Sequence, residues 1–167
     1  MNMNDIIFVL ASMEYAESYC KAVDLVARER KYLAALEGFP LESTKGFVGF
    51  ITANNLAQFY ALLDGEVIGW CDILPKGYEG MRHVGVLGMG LLPEYRGKGL
   101  GGQLLEKTIE HAYSVNRIEK VELEVFGSNS GAIGLYKKYG FELEGKRLKA
   151  RKLDDIYDDM ILMGKII

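Results

Sequence analysis

At 167 residues, 49% apolar and 26% charged, the chain has the length of one globular domain of about 100 to 200 residues and enough apolar side chains for a real core. Residues 1–167 are therefore read as a single domain, with little room for a second. A net charge of −3, with no long block of like charge, excludes partners recognised mainly through charge, so neither nucleic acid nor a membrane surface is expected.

Residues 1–5 lack a basic region followed by an apolar core, and no stretch approaches the roughly 18 uninterrupted apolar residues of a membrane span. The default expectation is cytoplasmic. The short apolar run Ile6-Ile7-Phe8-Val9-Leu10 reads as a strand entering a helix capped by Ser12. Ala16, Tyr19, Cys20, Val23, Val26 and Ala27 then recur at helical spacing and give that helix one apolar face. Pro40 marks a second helix start, with Phe47, Phe50 and Ile51 as its stripe. The two cysteines, Cys20 and Cys71, have neither paired nor metal-ligand spacing and are expected as buried thiols.

Residues 57–63 and 66–74 are β-rich runs joined by Asp64-Gly65, a dipeptide suited to the positive φ angles of a tight hairpin. The run 83–92 contains Gly85, Gly88 and Gly90, which weaken a strand but permit close approach of a ligand. After a glycine-rich loop, Leu104, Leu105, Thr108, Ile109 and Ala112 mark an amphipathic helix, and residues 120–126 a strand. Ser128 or Asn129 caps a further helix ending near Gly140. The tail alternates over residues 141–153, turns at Asp154-Asp155 and returns over 156–167 as a long hairpin. The order predicts an α/β fold with a mixed sheet covered by helices.

The loop Arg96-Gly97-Lys98-Gly99-Leu100-Gly101-Gly102 lies between a strand and a helix, where unpaired backbone N–H groups gather and bind phosphate. Glycine lets the backbone approach an anion, and Arg96 and Lys98 add positive charge at the same mouth. Gly97, Gly99 and Gly102 also satisfy G-x-G-x-x-G, with Glu122 or Glu124 at about the distance of a ribose-binding acid, so a dinucleotide site stands as an alternative. Against it, Pro93-Glu94-Tyr95-Arg96 separates the strand end from the first glycine, and only one clear crossover is present. No G-x-x-x-x-G-K-[ST] occurs.

Leu91-Leu92-Pro93-Glu94-Tyr95-Arg96-Gly97-Lys98-Gly99-Leu100-Gly101 resembles motif A of the GNAT superfamily of acyl-CoA-dependent N-acetyltransferases, whose Q/R-x-x-G-x-G/A is met by Arg96, Gly99 and Gly101. Asn129-Ser130-Gly131-Ala132-Ile133-Gly134-Leu135-Tyr136-Lys137-Lys138-Tyr139-Gly140-Phe141 resembles motif B of the same superfamily, N-x-x-A-x-x-L-Y-x-x-x-G-F. The end, Tyr157-Asp158-Asp159-Met160-Ile161-Leu162-Met163, is similar to the Y-x-D-x-x-x-M of the branch with ribosomal-protein N-terminal and small-amine acetyltransferases. The resemblance implies a mostly antiparallel twisted sheet of six to seven strands with about four flanking helices.

It further implies acetyl-CoA as co-substrate, with no metal. Strands 83–92 and 120–126 would splay to admit the pantetheine arm, with main-chain groups near Leu91 binding it. The pyrophosphate would rest on N–H groups of Gly97, Lys98, Gly99, Leu100 and Gly101. Tyr136 matches the motif B tyrosine that protonates the departing sulfur, although Ala132, Leu135, Tyr136 and Tyr139 also form an ordinary helix face. A ring can pack while its hydroxyl reaches the site. Asn129 has two readings, CoA ligand or helix cap.

A general base is not singled out among Asp72, Glu122, Glu124, His83 and a chain of water. Cys71 has no histidine near it in sequence, and alternation places it on one face with Val67, Gly69 and Ile73, which favours direct transfer over an acyl-enzyme. By the resemblance, residues 28–33 border the acceptor, a primary amine of a small molecule or a peptide N-terminus. A homodimer is compatible with the sequence. A catalytically silent acyl-CoA sensor is the rival from another class.

Overall fold

A computed structural model describes residues 5–167, so residues 1–4 of the leading segment lie outside it. Asp64 and Gly65 take φ of 51° and 81°. Positive φ at both central positions is the hairpin turn that matches strand twist, and it joins β2 (Ala57–Leu63) to β3 (Glu66–Pro75). Asp154 and Asp155 repeat the device with φ of 50° and 61°, joining β6 (Glu142–Leu153) to β7 (Ile156–Ile166). With β1 (Ile7–Leu10), β4 (Val84–Leu91) and β5 (Lys120–Phe126), these strands build one seven-stranded sheet in the order β1-β2-β3-β4-β5-β7-β6. Every pairing is antiparallel except β4 with β5.

That exception positions the site. β4 and β5 are parallel partners only at Val84–Val86 with Lys120–Glu122. Beyond Val86, β4 stays registered with β3 as far as Leu91, while β5 stays registered with β7 as far as Phe126. Each strand thus follows its outer neighbour, and a wedge opens through the middle of the sheet.

Period-2 alternation sends Cys71, Ile73, Leu87, Val121, Leu123 and Val125 to one face, where they pack with Leu104 and Leu105 of α3 (Leu100–Ser114) and Tyr136 of α4 (Ser130–Lys138). The opposite face presents Tyr60, Val67 and Trp70 to α1 (Ala16–Arg28) and α2 (Leu41–Ala53). Val67 sits there and not, as the alternation predicts, with Cys71 and Ile73, because a bulge shifts the β2–β3 register between Ala61 and Leu62. Tyr19 stacks on Tyr60 with centroids 5.0 Å apart.

Three local expectations are corrected. Ser12 makes no capping bond and its Oγ is buried without a partner, because a single 3₁₀ turn at Met13–Tyr15 intervenes and α1 begins at Ala16. The buried stripe of α2 is Thr44, Val48 and Ile51, whereas Phe50 is 56% exposed, lying one residue, about 100° of helix, off that stripe. Cys71 is buried as expected, but Cys20 is only half-buried and points its thiol at the Phe39 carbonyl oxygen, 3.3 Å away.

Candidate active site

The chain leaves β4 through Leu92 and makes a 3₁₀ turn at Pro93–Tyr95. Gly97 and Gly99 then adopt φ of 72° and 81°, backbone that an L side chain strains to reach. Gly99 is the N-cap of α3 and has no side chain with which to satisfy the first helical turn. Among the described residues, the N–H groups of Gly97, Lys98 and Gly99 have no backbone acceptor outside regular structure. The loop therefore delivers free donors and the positive end of the α3 dipole to one place.

A cleft of about 670 Å³ runs from this loop into the wedge. Its walls are Leu87–Leu91 of β4, Glu124–Phe126 of β5, the start of α4, and Tyr32, Leu33 and Ala34 from the segment after α1. Of the site residues expected from sequence, Leu91, Arg96, Gly97, Gly99, Gly101, Asn129 and Tyr136 all line it. Lys98 is exposed beside the loop, with Nζ 5.7 Å from the Tyr95 ring centroid, and does not line the cleft. Leu100 is 2% exposed and belongs to the core, so only its backbone can serve the loop.

Arg96 has a different geometry from a free cation at the mouth. Its Nε donates to the Leu91 carbonyl oxygen at 2.9 Å, and both terminal nitrogens donate to the Glu29 carboxylate at 2.8 and 2.5 Å. Its guanidinium also lies over the Tyr32 ring, 4.6 Å from the centroid. Asn129 caps α4, its Oδ1 accepting from the Ala132 N–H at 3.2 Å.

Tyr136 is buried, with its ring 5.7 Å from that of Phe141. Among the described residues its hydroxyl has no hydrogen-bond partner in the protein, although the residue lines the cleft. Burial pushes the phenol above its usual range, so the hydroxyl keeps its proton at neutral pH. Cys71 is sealed in the core, and burial raises its thiol far out of the nucleophilic range.

The acids divide by partner. Glu122 is held below its usual range by a hydrogen bond from Lys76, with a second from Lys120. Glu124 lines the cleft and pairs with Arg147 at 2.6 Å. His83 is exposed. Asp72 is partly buried, accepts from Gln58 Nε2 at 3.3 Å, and is raised by burial to about 7.

Glu29 and Tyr32 fall in the segment 28–33 that the resemblance sets beside the acceptor, but their pairing with Arg96 is not read from the sequence, nor is Arg151. Arg151 stacks 3.8 Å from the Phe126 ring centroid, donates to Asp158 at 3.0 Å and reaches the Lys31 carbonyl oxygen at 3.1 Å. The Glu29–Arg96 and Lys31–Arg151 contacts join segments far apart in the chain, so no local motif announces them. Among the described residues no group of three or more His, Cys, Asp or Glu is placed to hold a metal ion, and no helix is long and apolar enough to cross a membrane.

A loop of free backbone donors that opens into a gap between two parted parallel strands has the shape for a long acyl carrier that ends in an anionic group. One parallel pair in an otherwise antiparallel sheet is incompatible with the doubly wound fold of the dinucleotide alternative. The model of the acetyltransferase (GNAT) family matches residues 22–141. An L-amino acid N-acetyltransferase of Escherichia coli (strain K12) is 32% identical over 112 residues, which is 67% of this chain and 69% of that protein. An N-alpha-acetyltransferase of Saccharolobus solfataricus is 32% identical over 129 residues, 71% of this chain and 74% of that protein. The solved acetyltransferase of the GNAT family from Streptococcus pneumoniae superposes with a TM-score of 0.90 at 27% identity, covering 97% of this chain and 99% of the other. A putative acetyltransferase from Salmonella typhimurium, solved with its cofactor acetyl-CoA, shares the fold with a TM-score of 0.90 at 15% identity, covering 98% and 94%. The chain belongs to the GNAT family and is an acetyl-CoA-dependent N-acetyltransferase.

Proposed function

We propose that this chain transfers an acetyl group from acetyl-CoA to a primary amine by direct attack while both substrates are bound. The observation that carries the reading is the wedge between β4 and β5, which begins at the glycine loop and has Tyr136 on its wall. The backbone N–H groups of Gly97, Lys98, Gly99, Leu100 and Gly101 hold the pyrophosphate, and the unpaired β4 edge beyond Val86, down to Leu91, aligns the pantetheine amides. Acetyl-CoA supplies an activated acyl group and a thiol leaving group.

Tyr136 keeps its proton at neutral pH and gives it to the sulfur as the carbon–sulfur bond breaks. Arg96 serves by fixing the acceptor-side wall through Glu29 and Tyr32, and Asn129 by starting α4 so that Tyr136 faces the cleft. The acceptor is a small-molecule amine or a peptide N-terminus; the relatives' names, an L-amino acid acetyltransferase and an N-alpha-acetyltransferase, both denote amine acetylation.

The test is a panel of amino acids, polyamines and peptides assayed for amine-dependent release of CoA thiol. Intersecting initial-rate lines with at least one acceptor are expected. Parallel lines, or an acetyl group trapped on Cys71, would overturn direct transfer. Acetyl-CoA binding without any accepted amine would favour the sensor reading.

A further inference from the structure

We propose that Asp72 is the general base of this site, taking the proton of the acceptor amine across Gly88. The inference rests on the N-acetyltransferase reading and adds the residue that the motifs leave unassigned.

Asp72 lies in the middle of β3, registered with Gln58 of β2 on one side and Gly88 of β4 on the other. Gly88 lines the cleft, and a Cβ built there would stand 3.3 Å from Asp72 Oδ1. Glycine at this position thus leaves no side chain between the carboxyl and the wall of the wedge. Oδ2 accepts from Gln58 Nε2, while Oδ1 has no partner among the described residues. The sealed, unpartnered side-chain atoms of the described residues are Ser12 Oγ and Asn116 Oδ1 alone. Oδ1 is therefore unpaired and not fully sealed, and although Asp72 does not itself line the cleft, its carboxyl stands directly behind the cleft-lining backbone of Gly88.

The surroundings give this acid no structural use for its charge. Tyr19 of α1 and Tyr60 of β2 approach through Gln58, at 3.4 and 3.1 Å, and Cys71 lies next along β3. Burial raises all three and keeps them neutral. Among the described residues no lysine or arginine bonds to Asp72. An uncompensated carboxyl between strands costs stability, and such groups gather at functional sites. Its shift to about 7 by burial places proton exchange at working pH, where a base is most effective. Glu122 and Glu124, by contrast, are committed to Lys76, Lys120 and Arg147.

In the step, the Asp72 carboxylate takes one proton from the acceptor ammonium and later releases it to solvent. The neutral nitrogen donates its pair to the acyl carbon, forming the C–N bond while the C–S pair leaves with sulfur. The second nitrogen proton reaches sulfur by way of the Tyr136 hydroxyl. The products are the amide, the CoA thiol and one proton.

The experiment measures kcat and kcat/KM from pH 5 to 9 for wild type, Asp72→Asn, Gly88→Ala and Glu124→Gln, with one accepted amine. Asp72→Asn should lower kcat by about 10²-fold at pH 7 and lose the limb near pH 7, with the KM for acetyl-CoA unchanged. Gly88→Ala leaves the carboxyl in place but interposes a methyl, and should lower kcat with the limb retained. That variant keeps the question answerable if Asp72→Asn does not fold. Wild-type rates and an intact limb in Asp72→Asn, or loss of the limb in Glu124→Gln instead, would overturn the assignment while leaving the acetyltransferase reading intact. A wild type that acetylates no amine would fail that reading itself.

Discussion

Arg96 and Glu29 form a two-pronged ion pair, with N–O distances of 2.8 and 2.5 Å, that ties the turn before α3 to the end of α1. Arg96 also holds the last carbonyl of β4 and covers Tyr32, so one guanidinium joins the glycine loop, the end of β4 and the segment after α1. Both partners are partly buried, and the fork geometry suits Arg far better than Lys. Arg96→Lys and Glu29→Gln should each raise the acceptor KM several-fold more than the acetyl-CoA KM. Steady-state kinetics with each substrate varied separately would check this; equal changes in both would show a direct phosphate role for Arg96.

Ligand bound only by the native state raises its melting temperature by mass action. Gly99→Val puts a β-branched residue at φ 81°, and Gly101→Val places methyl groups where even a Cβ stands 3.3 Å from Leu135. Each should abolish most of the acetyl-CoA-induced shift, the first also lowering intrinsic stability by about 1–2 kcal/mol for a left-handed backbone. Thermal melts with and without acetyl-CoA give both numbers, and an unaltered ligand shift would place the phosphates elsewhere.

Tyr136→Phe removes only the hydroxyl and keeps the ring against Phe141. Turnover should fall by about 10²-fold while acetyl-CoA affinity and the melting temperature hardly move, because the lost oxygen makes no bond within the protein. Unchanged turnover with a good acceptor would return the residue to a packing role.

What the sequence shows well is whatever a few consecutive residues decide. Asp64-Gly65 and Asp154-Asp155 announce both hairpins because their positive φ angles are local needs, and the positive φ angles of Gly97 and Gly99 are local in the same way. What it hides is pairing at a distance. Glu29 stands 67 residues before Arg96, and neither position carries a mark of the other. The sequence marks Arg96 as a cation beside the glycine loop, whereas its neutralisation by Glu29 depends on where α1 ends. Likewise Asp72 is one acid among several until the register sets Gln58 and Gly88 beside it and Gln58 reaches Tyr19 of α1. The insertion of β7 between β5 and β6 is also a property of the assembled sheet, with no signal in the alternation of either strand.

The same carboxyl carries a signature in stability that needs no substrate. Burial raises Asp72 from 3.8 to about 7, so between those values the native state binds more protons than the unfolded chain. A group with a raised folded value contributes stability that is fully present below 3.8 and is lost as pH climbs to about 7, after which its effect is constant. Asp24 and Asp159 act in the opposite sense, since hydrogen bonds from Arg28 and Lys146 hold them below their ordinary value and their contribution disappears on acidification. The total curve mixes these terms, but Asp72→Asn removes one of them. The stability difference between wild type and Asp72→Asn, taken from urea melts at intervals from pH 4 to 8, should shift steadily in favour of the variant up to about pH 7 and then level off. A difference that is flat across that window would show that Asp72 titrates as an ordinary aspartate, and would remove the electrostatic support for its role as base.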